Sequence, residues 1–420
     1  QTAAWPAGWA GGVGSDFFRA GDYLAGDFYG GASEQSLVCK LFMRLGERPL
    51  FEYMTSRTPD LADHTTTKPA ELLEAQAFAA LAHNGRVLFI DAIDPAGTLN
   101  PAVYTQLGAV FGKVQPYEAF LTPDARPLAD VGLYMNFESL IDPADNGKAV
   151  QDAGSRRPPV LSSMNTVART LAQGHLAYGV LTPRNLSELA GFDTIVVPEL
   201  SMMDEAEADA LRAFVAGGGH LCATGALSLL GKDGRRRGEF LLADLLGVSY
   251  RGVTSQEVTY LSPAGGHEGL FAPFTARHPL QLAGPQVRVE AGAAAQVLAT
   301  ITLPYTDPRD PARFSSAISN PPGITTPDPA VVLHQYGRGT VLYLAGRLDA
   351  AEHEAHRALY RRLLGLLAGR PPLIRTDLPR AAEVVVWDQP DRRRLLLCVV
   401  NFQAELPTVP VHAAHLAVRL

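Results

Sequence analysis

Apolar and polar positions alternate along the first 125 residues in a pattern typical of parallel α/β structure. The run DYLAGDFYGG ends in glycines, and SEQSLVCKLFMRLG has apolar residues at helical spacing behind Ser33. The strand-like runs PLFEYM and RVLFIDAIDP flank a helical run that closes at Asn84-Gly85. Three strand-to-helix repeats predict parallel strands with right-handed crossovers. Because a barrel needs about eight strands, the region is either a small open sheet or the last part of a barrel.

A second stretch of α/β patterning runs from about residue 158 to 370. It has a helical run SMNTVARTLAQGHL and strand-like runs AYGVLT, GFDTIVVPEL and HLCATG. Asp204 precedes an acidic first turn and Gly217–Gly219 follow the last, which predicts a helix capped at both ends. The pattern predicts a flavodoxin-like unit. It ends with QYGRGTVLYLAG, expected to be a hairpin-like edge, and with a helix stopped by Pro371.

Two other regions have a different character. Residues 126–157 are rich in Pro, Asp, Gly and Arg, which predicts a linker around the short strand GLYMNFES. Residues 371–420 alternate as strands, AEVVVWDQP and RRRLLLCVVNFQ, with Asp388 to Arg394 as a hairpin loop. This last segment is too short for a complete sandwich.

Composition narrows the classes of function. Of the 420 residues, 47% are apolar and 19% are charged, which is typical of a globular chain with more than one domain. The net charge of -7 argues against a nucleic-acid surface. No apolar run approaches the roughly 20 residues of a membrane span, and the start lacks a signal-peptide pattern. We therefore expect neither a nucleic-acid partner nor a membrane partner.

The three cysteines, Cys39, Cys222 and Cys398, have no spacing that suggests a disulfide framework or a zinc site. A reducing, cytoplasmic compartment fits this pattern best. Cys222 falls inside a predicted strand rather than at a strand-to-helix turn. A buried, unreactive thiol is therefore favoured over an amidotransferase nucleophile.

Carboxylates near the ends of parallel strands are candidates for acid and base chemistry, because barrel enzymes place such groups there. The candidates by position are Asp27, Glu34, Glu52, Asp91 and Asp94. Glycoside hydrolysis needs two carboxyl groups, about 5 Å apart for retention or about 6.5–9.5 Å apart for inversion. Helix capping or a buried ion pair is the alternative for each. Glu52 lies inside an apolar run, where an unpaired carboxylate is expensive to bury.

The stretch TSRTPDLADHTTTK after the second strand offers hydrogen-bonding groups of the kind that a sugar-binding rim needs. Arg57 and His64 are candidates to bind sugar hydroxyls, with pairing to Asp60 and Asp63 as the alternative. Tyr29 and Tyr53 are candidates to stack on pyranose faces, with ordinary packing as the alternative. A solvated loop after a core strand is the alternative for the stretch as a whole.

Three segments together resemble the end of the catalytic barrel in bacterial glycosidases of glycoside hydrolase family 151, which are α-L-fucosidases, and more distantly in family 42 β-galactosidases. They are GDFYGGASEQSLVCKLF, EYMTSRTPDLADHTTTK and RVLFIDAIDPAGTLNPAVYTQLGAVF. The region containing DTIVVPELSMMDEAEADALRAFVAGGGHLCATG resembles the β-galactosidase trimerisation domain, a flavodoxin-like, amidotransferase-like unit. The final strands are similar to the start of a small C-terminal β-sandwich.

The resemblance implies an α/β chain of three parts. Residues 1–125 would form the C-terminal portion of a (β/α)8 barrel, from its sixth to its eighth strand. Residues 126–157 would be a linker, 158–370 the flavodoxin-like trimerisation domain, and 371–420 a partial C-terminal β-domain. The first five or so barrel strands have no counterpart here. One of the two catalytic carboxylates normally comes from the fourth of them.

The resemblance also implies a function: a retaining exo-glycosidase acting on terminal sugars, most like an α-L-fucosidase, without metal or organic cofactor. A carbohydrate substrate and a homo-oligomer, trimer or dimer, are expected. The implied catalytic candidates are Asp27, Glu34 and Glu52; the substrate-binding candidates are Tyr29, Tyr53, Arg57, His64 and Asp91. The alternatives are a β-galactosidase-like enzyme and a non-catalytic oligomerisation module. The enzyme reading requires that residues encoding the earlier strands precede Gln1.

Overall fold

A computed structural model gives the fold. It describes residues 18, 23–46, 51–59, 62–63, 65–92, 94–141, 148–149, 159–307, 310–315, 320–401, 410–411 and 414–419. The strands in chain order are β1 Leu24–Asp27, β2 Phe51–Ser56, β3 Arg86–Ile90, β4 Arg126–Leu128, β5 Val131–Tyr134, β6 Tyr178–Leu181, β7 Thr194–Val197, β8 His220–Thr224, β9 Val248–Val253, β10 Val258–Pro263, β11 Leu280–Ala283, β12 Val287–Ala291, β13 Gln296–Pro304, β14 Pro322–Tyr336, β15 Gly339–Leu344, β16 Ile374–Thr376, β17 Ala382–Gln389, β18 Arg394–Asn401 and β19 Leu416–Val418.

The helices connect these strands. They are α1 Ala32–Leu45, α2 Ala70–Ala82, α3 Pro101–Val114, α4 Pro159–Gln173, α5 Glu205–Ala216, α6 Ala243–Leu246, α7 Glu268–Phe271 and α8 Glu354–Leu364. Their ends follow local sequence chemistry. The Asn100 side chain caps α3, which has Pro101 in its first turn. Asp204 and Glu207 form a complete capping box at the start of α5, as the sequence predicts.

The first sheet contains the three parallel strands that the sequence predicts, in the order β1-β2-β3. Side chains on β2 alternate between its two faces. Phe51 and Tyr53 are fully buried against the helices, whereas Glu52 and Met54 are half-buried on the other face. Strand β3 is half-buried along most of its length rather than fully buried as expected. Its second face is therefore not covered by a helix layer among the described residues.

The second sheet is large and mixed. Its strands follow the order β11-β10-β13-β14-β15-β8-β7-β5-β6. Strands β15, β8, β7, β5 and β6 are parallel to one another, and the remaining four extend the sheet by antiparallel pairing. Two expectations were wrong in this region. β15 is not at an edge, because it pairs with β8 as well as with β14, and β5 lies inside the sheet although it falls within the predicted linker.

The third sheet joins distant parts of the chain. β17 and β18 form the predicted hairpin, and β4 pairs with the other side of β17. β16 pairs separately with β19. The predicted linker therefore contributes one strand to the second sheet and one to the third.

One hydrophobic core runs through these sheets. It extends from Leu24 of β1 through α1 and the parallel strands of the second sheet to Trp387 of β17. The Trp387 Nε1 donates a hydrogen bond to the Ala82 carbonyl oxygen at 2.8 Å, which ties the third sheet to the end of α2. None of the helices in the described ranges combines the length and apolar character needed to cross a membrane.

Candidate active site

The carboxyl ends of the first three strands lie along one edge of their sheet, because the strands are parallel and paired in register. Asp27 ends β1, Ser56 ends β2 and Ile90 ends β3. Asp27 lies opposite Met54, and Ser56 lies opposite Ile90. In barrel folds this edge carries the groups that act on substrate.

A cavity of about 260 Å³ opens at the end of β1. Its lining residues are Asp27, Phe28, Tyr29, Gly30, Glu34, Gln35, Val38 and Tyr53. The structure thus brings together four of the side chains that the sequence singles out, namely two carboxylates and two tyrosines. Gly30 permits this arrangement, because a Cβ there would lie 2.2 Å from Glu34 Oε2. Glu34 itself stands in the first turn of α1.

Tyr53 forms the inner wall of the cavity. Its ring stacks on Phe28 with a centroid separation of 5.1 Å and an interplanar angle of 14°. Burial, together with negative charge that includes Glu34, raises the pKa of Tyr53 well above its ordinary value. The Tyr53 hydroxyl is buried and makes no hydrogen bond within the described part of the chain. A ligand hydroxyl in the cavity would satisfy a donor whose burial is otherwise costly.

Tyr29 is the outer aromatic group of the cavity. It is exposed, and burial of part of its ring together with the charge of Asp27 raises the pKa of Tyr29. An exposed aromatic ring beside two carboxylates is a surface on which a pyranose can stack.

Arg57 and Asp91 form a buried ion pair at the ends of β2 and β3. The Arg57 Nε lies 2.5 Å from Asp91 Oδ1, and the side chains are 5% and 9% exposed. Arg57 Nη1 also donates to Thr67 Oγ1 at 3.1 Å. Arg57 thus forms an ion pair with Asp91, a partner that the sequence analysis did not name for it. Asp91 Oδ2 is buried and has no hydrogen-bond partner among the residues that the structure describes.

Two other acidic residues near this edge serve the loops in which they stand. Asp63 accepts hydrogen bonds from the backbone NH groups of Thr65 and Thr66. Asp94 accepts from the backbone NH groups of Ala96 and Thr98. These contacts give Asp94 a structural role, although in its own loop and not as the helix cap or buried ion pair expected as the alternative.

The expected placement of Glu52 was wrong. Glu52 is the second residue of β2 and lies opposite Ala25 and Arg86, near the amino ends of the three strands. Asp27 lies opposite Met54, and a strand rises about 3.3 Å per residue, so Glu52 lies about 7 Å along the strands from the level of Asp27. Glu52 is not among the residues that line the cavity with Asp27 and Glu34. His64 lies outside the described residues.

Lys68 is a polar residue of this region that sequence reasoning missed. Its buried Nζ donates to Thr55 Oγ1 at 3.1 Å and to the Ser56 carbonyl oxygen at 2.6 Å. Burial lowers the pKa of Lys68 to about 8. A lysine directly before a helix that begins with proline is usually exposed. The sequence feature that indicates burial of Lys68 is its place in a hydroxyl-rich loop. Its contacts hold the end of β2 in place.

Cys222 is buried within β8, as predicted. Burial raises the pKa of its thiol to about 12, so it is protonated at neutral pH. The described residues contain no cluster of three or more His, Cys, Asp or Glu side chains placed to hold a metal ion.

Comparisons with known proteins identify a shared fold. No family model matches the chain, and no curated protein matches it by sequence. Among solved structures, α-L-fucosidase isoenzyme 2 from Paenibacillus thiaminolyticus is 19% identical, with a TM-score of 0.73 over 96% of this chain and 59% of that one. A β-galactosidase from Rahnella sp. R3 is 17% identical, with a TM-score of 0.65 over 88% of this chain and 54% of that one.

A third structure, a catalytic mutant of a glycoside hydrolase family 42 β-galactosidase from G. stearothermophilus, is 16% identical. Its TM-score is 0.65 over 90% of this chain and 53% of that one. The chain thus spans between 53% and 59% of the length of these structures. It has the mixed α/β fold of the corresponding part of these glycosidases.

Proposed function

We propose that this chain is part of a retaining exo-glycosidase that acts on a terminal sugar, most like an α-L-fucosidase. The observation that carries the proposal is the cavity at the end of β1, where Asp27 and Glu34 line one space with Tyr29 and Tyr53. A carboxylate that protonates the leaving group, a second carboxylate that contacts the sugar and an aromatic ring for stacking are groups that a glycosidase site uses, and the nucleophile would come from another strand of the barrel. The shared fold with a fucosidase supports the choice of sugar.

The two carboxylates have complementary positions. Asp27 projects from the end of a strand and Glu34 from the first turn of a helix, so each stands on a rigid element. We propose that one of them acts as the general acid and base and the other contacts the sugar or its leaving group. Tyr53 would donate its buried hydroxyl to a sugar hydroxyl. The Arg57–Asp91 pair would fix the rim of the site at the ends of β2 and β3.

The first experiment measures hydrolysis of 4-nitrophenyl α-L-fucoside and 4-nitrophenyl β-D-galactoside by the native protein that contains this chain. The variants Asp27→Asn and Glu34→Gln keep side-chain size and remove the charge. We expect the variant that removes the acid and base to lower kcat/KM by about 10²–10⁴-fold, the contribution of such a group, and the other variant to lower it by a smaller factor. Glu118→Gln, at an exposed position beyond α3, is the matched control and should leave kcat/KM unchanged.

The outcomes distinguish a fucosidase from a β-galactosidase-like enzyme and from an enzyme whose site lies elsewhere. Turnover of the fucoside that both variants lower supports the proposal. Turnover of the galactoside alone, with the same losses, identifies a β-galactosidase-like enzyme instead. Turnover that survives both variants places the chemistry elsewhere and overturns the site.

One observation favours a second candidate, a non-catalytic assembly module. Strand β2 ends in Thr55 and Ser56 and is followed by Arg57 and Thr58, so no carboxylate stands at its carboxyl end in the described range 51–59. Under this hypothesis residues 158–370 form a trimer or dimer through the flavodoxin-like unit. The first sheet then forms one wall of a partner's active site. Absence of turnover of any glycoside in the panel by the native protein would favour it.

A further inference from the structure

Four arginines converge where α4, α8 and the loop before β17 meet. They are Arg169 on α4, Arg357 and Arg361 on α8, and Arg380 in the loop; together they are termed the arginine cluster. Their mutual proximity is reflected in Arg357, whose pKa is lowered by burial and then by the charges of Arg169, Arg361 and Arg380. The cluster shares no residue with the candidate active site.

The acidic residues beside the cluster do not balance its charge. Glu354 accepts from Arg357 Nη2 and Arg361 Nη2 at 2.9 Å and from Arg380 Nη1 at 2.6 Å. Glu352 lies 3.8 Å from Arg169 Nη2 and is largely exposed. Within the described ranges, four guanidinium charges stand against two carboxylates, which leaves an excess of two positive charges. Like charges held this close repel one another unless an anion neutralises them.

Several donors of the cluster are also unused. Arg169 Nε, Arg357 Nε and Arg361 Nη1 are buried and have no hydrogen-bond partner in the described part of the chain. Buried donors are normally paired, so three unpaired ones on three adjacent arginines call for an acceptor that the described residues do not provide. Arg357 is held in place by a 2.5 Å hydrogen bond from its Nη1 to Gln173 Oε1. Gly174 leaves room for Arg361, since a Cβ at that position would lie 3.1 Å from Arg361 Cδ.

We propose that the arginine cluster binds a doubly charged oxyanion, phosphate or sulfate, either free or as an ester on a sugar. Guanidinium groups match the oxygens of such anions with pairs of donors, and each charge-assisted bond is stronger than a neutral one. A divalent oxyanion neutralises the excess of two charges and supplies acceptors for the three unused donors. Bound there, it would fasten α8 to α4 and to the loop that leads into β17.

Isothermal titration of the full chain tests this. Inorganic phosphate is titrated at fixed ionic strength, with chloride as the non-binding anion, and sulfate and glucose 6-phosphate are titrated in parallel arms. We expect saturable binding of phosphate and sulfate, and about tenfold weaker binding or more in the double variant Arg361→Gln/Arg380→Gln. Arg235→Gln, at an exposed arginine in a separate loop, is the control and should bind as the wild type does.

The arms identify the source of the anion. Tighter binding of glucose 6-phosphate than of inorganic phosphate indicates a sugar ester, and the reverse order indicates the free anion. Either order supports the proposal. A lack of saturable binding of all three, or binding that the double variant leaves unchanged, overturns it.

Glu354→Gln supplies an independent test that does not depend on removing arginines. The substitution takes away the carboxylate that competes for three of the four guanidinium groups. If the cluster is an anion site, phosphate should bind about tenfold more tightly to this variant. If the cluster is only a structural ion-pair network around Glu354, the substitution should leave phosphate without measurable binding, as in the wild type.

Discussion

Asp349 is a buried carboxyl group that ordinary ion pairing does not explain. It is 1% exposed, and neither of its oxygens makes a hydrogen bond of good geometry with the described residues, although the hydroxyls of Thr224 and Ser163 face it. Burial raises the pKa of Asp349 to about 7, while the charge of Arg347 opposes this and that of Glu199 adds to it. Cys222 and Tyr360 face it from the core. Asp349 therefore holds its proton in the folded chain up to near-neutral pH.

This proton makes the free energy of unfolding depend on pH. Between the ordinary pKa of 3.8 and about 7, folded Asp349 is protonated and unfolded Asp349 is not, so stability falls as pH rises through this window. A difference of about three pH units corresponds to about 4 kcal/mol at most. In Asp349→Asn this dependence disappears, so the variant should gain stability relative to the wild type as pH rises from 5 to 8.

Urea unfolding at pH 5, 6.5 and 8 measures the effect. The control is Asp209→Asn, at an exposed position on α5, which should run parallel to the wild type across the series. A constant difference between Asp349→Asn and the wild type at all three pH values would contradict the assignment of the proton to Asp349.

At the scale of elements, a buried polar network connects α1 to β17. Lys40 Nζ lies 2.6 Å from Glu383 Oε1, and the two side chains are 7% and 17% exposed. Ser36 Oγ donates to the same oxygen at 2.7 Å, and Lys40 Nζ donates to His83 Nε2 at 2.8 Å. Burial raises the pKa of Glu383, but the contributions of Lys40 and His83 together outweigh this and hold it far below its ordinary value. Burial and the charge of Lys40 lower the pKa of His83, so His83 is neutral.

Removal of one member of the Lys40–Glu383 pair should lower the free energy of unfolding far more than removal of both members. Glu383→Ala leaves the Lys40 charge buried without compensation, and we expect a loss of about 3–5 kcal/mol in the free energy of unfolding. The double variant Lys40→Met/Glu383→Leu should recover most of that loss, because apolar side chains of similar size fill the space. Urea denaturation of the single and double variants measures both.

The more exposed pair on the same helix is the control. Arg44 Nη1 lies 2.6 Å from Glu188 Oε2, and Glu188→Ala should cost no more than about 1 kcal/mol. Equal costs for Glu383→Ala and Glu188→Ala would contradict a special role for burial of the Lys40–Glu383 pair.

Elements whose signals are local were predictable from the sequence. The three strands of the first sheet, the capping box at Asp204 and the hairpin of β17 and β18 all follow from patterns within about 20 residues of each other. The pairing of β4 with β17 was not predictable, because it joins Leu128 to Val386 across more than 250 residues without a local mark. β15 resembles an edge strand locally and becomes central only because β8 pairs with it.

The contrast between local and long-range signals also explains which parts of the candidate site could be predicted from the sequence. Asp27, Tyr29 and Glu34 are close in sequence, so their convergence follows from one strand-to-helix turn. Tyr53 joins them because β2 pairs with β1 in a register that parallel repeats make expected. Glu52 was misplaced because an apolar run does not show at which residue a strand begins. The arginine cluster was not predictable from the sequence, because its members come from three segments separated along the chain.

At the scale of the whole molecule, the continuous hydrophobic core predicts how the chain unfolds. Leu41 of α1, Val196 of β7 and Trp387 of β17 belong to one packed cluster. Loss of any sheet would expose apolar surface on the others, so we expect all three to unfold in one transition. Hydrogen exchange in increasing urea should show β2, β7 and β17 losing protection at the same midpoint. Protection that disappears from β17 first, with β7 unaffected, would contradict this.

The pairing of β4 with β17 has a consequence for how such a chain can change over generations. The segment 131–376 begins just after Leu128 of β4 and ends a few residues before β17. Val386 of β17 lies opposite Leu128, so the two ends of the segment are close together. A segment whose two ends emerge side by side can be lengthened or exchanged through two adjacent attachment points. The short β4 strand therefore keeps these two points together, while the core that the segment shares with α1 limits exchange to modules that restore the same apolar contacts.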